Sequence, residues 1–184
     1  MPSQLRYVAL LRAVNVGGTS KLAMKDLSQV FAEAGCSDVQ TYIQSGNVLF
    51  RASAASAKTL PARIATQLAV RFQIQTTVVL RTQSDLAKIV ANNPYLADAP
   101  DPKSLYVMFL DGAPDAANVS NLDPNRSTPD RFTLVGREVY LCLARGAAKT
   151  RLTTAYFDSK LKVVSTARNW NTVTKLARLL DGSG

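Results

Sequence analysis

Segments with strand spacing and segments with helix spacing follow one another along residues 5 to 83 in a fixed order, and that order constrains the fold more than any other feature. Alternating apolar residues from Arg6 to Val14 predict a first strand. Met24, Leu27, Phe31 and Ala34 then recur at helical spacing until Gly35, a residue suited to ending a helix. Val39, Thr41 and Ile43, and after them Val48 and Phe50, alternate on either side of Gln44-Ser45-Gly46-Asn47, whose composition is that of a tight hairpin turn. Leu60, Ile64, Leu68 and Phe72 line one face of a second helix, with Ser56 as its expected cap and Pro61 tolerated near its start. Thr76 to Arg81 supplies a fourth strand. The order β-α-β-β-α-β is that of a ferredoxin-like unit, in which two helices cover one face of an antiparallel sheet.

The rest of the chain runs in nearly the same order. Ser84 is placed to cap a short helix carrying Leu86, Ile89 and Val90, which must stop near Asn93 because Pro94 disfavours helix before it. Asp98 to Pro102 reads as a linker. A buried strand follows from Leu105 to Leu110, then a weak helix from Asp115 to Leu122, a loop with two prolines, and a hairpin from Phe132 to Leu143 that turns at Gly136. A helix near Thr150 to Leu161 precedes a last helix holding Trp170, Val173, Leu176 and Leu180. The second half is thus expected to end in a helix where the first has a strand. The expected fold is α+β, with two ferredoxin-like halves whose antiparallel sheets are covered by helices. Residues 1–83 form the first half, 84–102 a helix and linker, and 103–184 the second half with its C-terminal helix, together one compact unit.

Charge and composition narrow the function. The chain has 184 residues and a net charge of +9. Residues 1–92 carry ten Lys/Arg against four Asp/Glu, residues 93–130 two against six, and residues 131–184 ten against three, so an acidic segment separates two basic ones. A basic balance favours a phosphate-bearing partner or nucleic acid. The longest apolar runs fall far short of the roughly 20 residues of a membrane helix, so no membrane partner is expected. The N-terminal apolar run is too short and too charged for a signal peptide. Cys36 and Cys142 stand far apart in no metal-binding spacing, and the cytoplasm is the expected location.

Histidine is absent, which excludes Ser-His-Asp and Cys-His catalysis and removes the commonest metal ligand. No metal and no cofactor is expected. The stretch from Arg12 to Lys21, with Asn15, Gly17 and Gly18 inside it, follows a strand and precedes a helix, where backbone N–H groups can cradle an anion. It matches neither GxGxxG nor GxxxxGK[ST], because Gly17 and Gly18 are adjacent and no Gly-Lys-Ser/Thr occurs. Ser45 precedes a glycine, but Ile43 stands where a nucleophile elbow needs its first glycine, so it is no hydrolase serine. Tyr42, Gln44, Ser45 and Asn47 either close the hairpin through side-chain to backbone hydrogen bonds or grip a ligand. Residues 165–172 are expected to open the last helix, capped by Ser165 or Thr166. Arg168, Asn169 and Asn171 would then add donors to the positive helix end. Trp170 fits core packing better than base stacking.

The segments RYVALLRAVNVGG, DVQTYIQSGNVLF and STARNWNTVTKLARLL, in this order, resemble the bacterial domain-of-unknown-function family 1697 (DUF1697) over essentially the whole chain. That family usually opens with Arg-Gly-Ile-Asn-Val-Gly-Gly, and Ala13 and Val14 replace its Gly and Ile here. The resemblance implies two ferredoxin-like halves in one compact unit and no particular reaction. The residues it carries over as candidates are Arg12, Asn15, Gly17 and Gly18; Thr41, Tyr42, Gln44, Ser45, Gly46 and Asn47; and Thr166, Arg168, Asn169, Trp170 and Asn171.

These segments offer donors and no general base, so the leading expectation is a module that binds a phosphate-bearing ligand, a nucleotide or nucleic acid among them. A second is a histidine-free enzyme on a phosphorylated or nucleotide substrate, with Tyr42, Lys21 or Asp158 as acid or base. A third is a self-associating scaffold, in the simplest case a homodimer, whose acidic segment 98–130 meets basic surface of another copy.

Overall fold

The computed structural model describes residues 4–15, 22–97 and 101–182. They divide into two units, one drawn from Met1–Ala87 and Leu176–Gly184, the other from Lys88–Lys175. The elements in chain order are β1 (Gln4–Leu11), α1 (Met24–Glu33), β2 (Ser37–Tyr42), β3 (Asn47–Ser53), α2 (Ala54–Phe72), β4 (Val78–Thr82) and α3 (Gln83–Ala91). They continue with β5 (Leu105–Leu110), α4 (Ala116–Val119), β6 (Arg131–Val135), β7 (Glu138–Cys142), α5 (Thr154–Leu161), β8 (Ser165–Asn169) and α6 (Trp170–Asp181).

In the first unit the strands lie in the order β2-β3-β1-β4, all antiparallel. Tyr7, Ala9 and Leu11 of β1 share a face with Val48, Phe50 and Ala52 of β3, and the apolar stripes of α1 (Leu27, Val30, Phe31) and α2 (Leu60, Ile64, Leu68) close over it. Period two in the strands and period 3.6 in the helices are what let those side chains meet in one core. The alternate residues Val8, Leu10, Leu49 and Val79 are buried as well, which accounts for the nearly unbroken apolar run of β1. A β-bulge interrupts β2 between Ser37 and Gln40, with Asp38 at φ +50°.

The second unit repeats the topology as β6-β7-β5-β8, again antiparallel, over a core of Met108, Leu110, Val139, Leu141, Tyr156, Phe157 and Leu161. Both units are therefore ferredoxin-like, and the fold is α+β. Matching positions agree closely: Arg81 of β4 pairs with Val8 of β1, and Arg168 of β8 pairs with Val107 of β5. The Leu11 amide donates to the Gly46 carbonyl at 2.8 Å, and the Leu110 amide to the Arg137 carbonyl at 2.9 Å. The loop before β6 is organised by buried Asp130, whose carboxylate accepts from the Ser127 hydroxyl (2.9 Å) and the Arg145 amide (3.2 Å).

Three local expectations are corrected. Residues 165–169 are a strand and not the start of the last helix, so the second half has its fourth strand like the first. Helix α2 is capped by Ser53, whose hydroxyl accepts from the Ser56 amide, and not by Ser56. At α3 the cap is Thr82 rather than Ser84: the Thr82 hydroxyl accepts from the Asp85 amide while the Asp85 carboxylate accepts from the Thr82 amide, a reciprocal box. In both helices an earlier hydroxyl took the cap, because the strand before it ran straight into the first helical turn.

Candidate functional site

Strand β1 ends beneath the β2–β3 hairpin, and the chain leaves it through a left-handed path. Ala13 has φ +54° and Asn15 φ +57°, while Val14 between them is not left-handed. The hairpin tip repeats the motif, with Ile43 at φ +48° and Gly46 at φ +74°. An L-residue in this region costs roughly 1–2 kcal/mol, and a β-branched one such as Ile43 is a marked outlier. Three of the six non-glycine positive-φ residues among those described thus sit in one small cluster. Ile43 is also half-exposed, an apolar side chain held at the tip.

The loop and the hairpin are bonded to each other. The Asn15 side-chain amide donates to the carbonyls of Leu22 and Gln44, both at 2.9 Å, and its oxygen accepts from the Leu22 amide at 2.7 Å. Asn15 is therefore the staple that ties the β1 exit to the hairpin and to the chain entering α1. Asn47, fully buried at the base of β3, donates to the Tyr42 carbonyl (3.1 Å) and the Ser45 hydroxyl (3.0 Å), closing the turn. A Cβ on Gly46 would lie 2.9 Å from Cβ of Leu11 and 3.3 Å from Cβ of Val14, so only glycine fits there. From the other side, the Arg12 amide donates to the Thr77 carbonyl (2.9 Å) and the Thr76 hydroxyl donates to the Arg12 carbonyl (2.8 Å). Nothing in the sequence around Thr76 signals this clamp, since its partner lies 64 residues away.

Arg12, Asn15, Tyr42, Gln44, Ser45 and Asn47 are accordingly gathered at one end of the first sheet. Gln44 is exposed, while Arg12, Tyr42 and Ser45 are half-buried. Gly17, Gly18 and Lys21 lie outside the described residues.

Arg168, Asn169 and Asn171 belong to the second unit. Arg168 points from a strand, not a helix start: it is 8% exposed and donates to the Thr166 hydroxyl and the Ala167 carbonyl, both at 2.8 Å. Burial pulls its pKa down to about 10, the direction expected for a cation removed from water. Asn169 takes the capping role that Thr82 has in the first unit. Its oxygen accepts from the Asn171 amide at 3.0 Å, and its Nδ2 donates to the Lys103 carbonyl at 3.1 Å, joining α6 to the start of β5. Trp170 is buried at the first turn of α6. Arg81, at the matching place in β4, is buried as deeply and was not singled out in the sequence.

Asp158 accepts from both the amide (2.9 Å) and the hydroxyl (2.6 Å) of Ser165, which fixes the turn into β8. Cys36 and Cys142 are free, buried thiols, and burial pushes Cys36 up to about 11. Among the described residues no three carboxylates or thiols gather into a metal-binding group, and no helix is long and apolar enough to cross a membrane.

Comparison with known proteins agrees with this architecture. A solved structure, that of the conserved bacterial protein SP0830 from Streptococcus pneumoniae, is similar over 97% of this chain and 99% of its own, with a TM-score of 0.73 at 25% identity. No curated protein sequence matches. The family model described as "Protein of unknown function (DUF1697)" matches residues 5–140, a span that holds both the β1 exit and the hairpin. The chain belongs to the DUF1697 family.

Proposed function

We propose that the first unit is a recognition module for a phosphate-bearing anion, held at the left-handed loop Arg12–Asn15 beside the hairpin tip Gln44–Gly46. The observation that carries this reading is the concentration of strained backbone at one place: Ala13, Asn15 and Ile43 are all left-handed there. Such strain persists only where surrounding structure holds it, and it gathers at ligand sites. Left-handed residues in a tight loop can turn backbone N–H groups toward one side, which suits an anion. Arg12 supplies a full positive charge at this loop, in a half of the chain that is already basic. In this reading Asn15 and Asn47 hold the loops, and the Arg12 side chain and the exposed Gln44 meet the ligand.

The test is a titration with inorganic phosphate and, separately, a nucleoside monophosphate, read from the backbone amide resonances of residues 12–15 and 44–46. Saturating shifts at these residues, weakened by Arg12→Gln, are expected. A ligand bound at a hundredfold excess over its Kd should also raise native stability by about 2.7 kcal/mol. Shifts absent from these amides, or unchanged binding in Arg12→Gln, would refute the reading.

A further inference from the structure

At the other end of β1, six residues and about 20 Å along the strand from Arg12, the first unit carries a separate cleft of about 220 Å³. Arg6, Arg51, Asp38, Gln40, Leu49 and Leu179 line it. Arg6 and Arg51 stand directly opposite each other in the β1–β3 ladder, so both guanidinium stems leave the same face of the sheet. Like charges directly opposite on neighbouring strands are destabilising. Here each is held in place by a different partner. Arg6 donates through Nη1 to the Leu180 carbonyl at 2.7 Å, at the end of α6, and Arg51 pairs through Nε with Asp38 at 2.8 Å. Asp38 reaches that position because the bulge in β2 sets it at φ +50°.

We infer that this cleft binds a small molecule with an oxyanion head, a carboxylate or phosphate monoester, on a compact apolar body. Two guanidiniums against one carboxylate leave the cleft with a net positive charge. Each of the bonds above occupies one edge of a guanidinium, and a guanidinium has five N–H donors, so both arginines retain donors for an oxyanion. Gln40 contributes an exposed amide, and the half-buried Leu179 offers apolar surface to the body of the ligand. The volume is below the 300–1,000 Å³ of pockets that hold drug-sized ligands, which sets the ligand smaller than a nucleotide. The site is therefore distinct from the one proposed for the Arg12 loop, and its ligand is the smaller of the two.

The experiment titrates the full-length protein with phenyl phosphate, benzoate and neutral benzyl alcohol, following backbone amide shifts to ligand concentrations of several times about 1 mM. Saturating shifts at Leu49, Arg51 and Leu179 with one or both anions, and not with benzyl alcohol, are expected. Arg51→Gln should weaken that binding by roughly tenfold while leaving the fold intact by circular dichroism, because the half-exposed Arg51–Asp38 pair contributes little to stability. Arg6→Gln is the second variant and should weaken binding similarly. No saturation with either anion, equal binding of the alcohol, unchanged affinity in both variants, or shifts confined to residues 12–15 and 44–46 would overturn the inference.

Discussion

Replacing Gly46 with alanine tests whether the β1 exit and the hairpin are held in contact by necessity. Two costs are separable. The first is conformational: φ +74° is left-handed, and an L-residue there costs roughly 1–2 kcal/mol. The second is steric, since the new methyl would sit 2.9 Å from Cβ of Leu11, an atom fixed to the central strand that cannot swing aside. Forcing a methyl into such a contact costs about 1–3 kcal/mol more. Gly35, in the same unit, supplies the control: its φ is +86°, but nothing lies within 4 Å of a Cβ built on it, so Gly35→Ala bears only the first cost. Urea unfolding followed by circular dichroism should therefore rank wild type above Gly35→Ala and Gly35→Ala above Gly46→Ala, with about 1–3 kcal/mol between the two variants at equal m. Equal destabilisation would refute the argument that close approach, rather than backbone freedom, requires glycine at the tip.

Four further outcomes follow from the same geometry. Ala13→Gly relieves a left-handed alanine worth roughly 1–2 kcal/mol and returns about 0.4–1 kcal/mol to unfolded-chain entropy, so it should raise stability slightly, by up to about 1.5 kcal/mol in the same urea assay. Asn15→Ala removes all three bonds of the staple; it should cost about 1–3 kcal/mol, and hydrogen exchange at the Leu22 amide should accelerate more than exchange in β3. Asp130→Ala leaves the Ser127 hydroxyl and Arg145 amide without their carboxylate, an expected loss of about 3 kcal/mol in thermal unfolding. Cys36 is raised from 9.0 to about 11, so the folded state holds its proton where the unfolded state has lost it, and its stabilising contribution declines as pH rises from 9 to 11. Cys36→Ala should flatten that alkaline decline, and in the wild type the native Cys36 thiol should react with iodoacetamide at pH 8 at least about a hundredfold more slowly than a free cysteine.

The fold was legible where a segment's own residues carry its period. Tyr7, Ala9 and Leu11 alternate, Leu60, Ile64 and Leu68 recur at helical spacing, and Gly35 and Gly46 fall where the chain turns left-handed. Those patterns suffice for the first ferredoxin-like half and for the second through α5, because a strand or helix packed on a core repeats its buried positions at its own period; β8 carries no such mark. The caps of α2 and α3 lie three and two residues before the Ser56 and Ser84 that the sequence suggests, since several hydroxyl residues compete there and only the path of the preceding strand selects Ser53 and Thr82.

Tertiary structure alone decided the rest. Ser-Thr-Ala-Arg-Asn has no apolar alternation, and it becomes β8 because the backbone groups on the open edge of β5 need a partner, which it supplies in the register Val107↔Arg168. That pairing buries Arg168, which the sequence placed on a solvated helix end. Asn15 likewise reads as a free donor, yet its amide goes to Gln44, 29 residues on, through a contact that no local pattern announces. Ala13 is the clearest case. Alanine disfavours the left-handed region, and it adopts that region here because the β1 exit is clamped on one side by Thr76 and Thr77 and on the other by a hairpin whose tip only glycine can bring so near. The sequence by itself determined most of the strands, helices and turns, wherever burial follows a local period, but not β8. Only the packed chain determined which polar groups hold the loops together, because that depends on partners far away along the sequence.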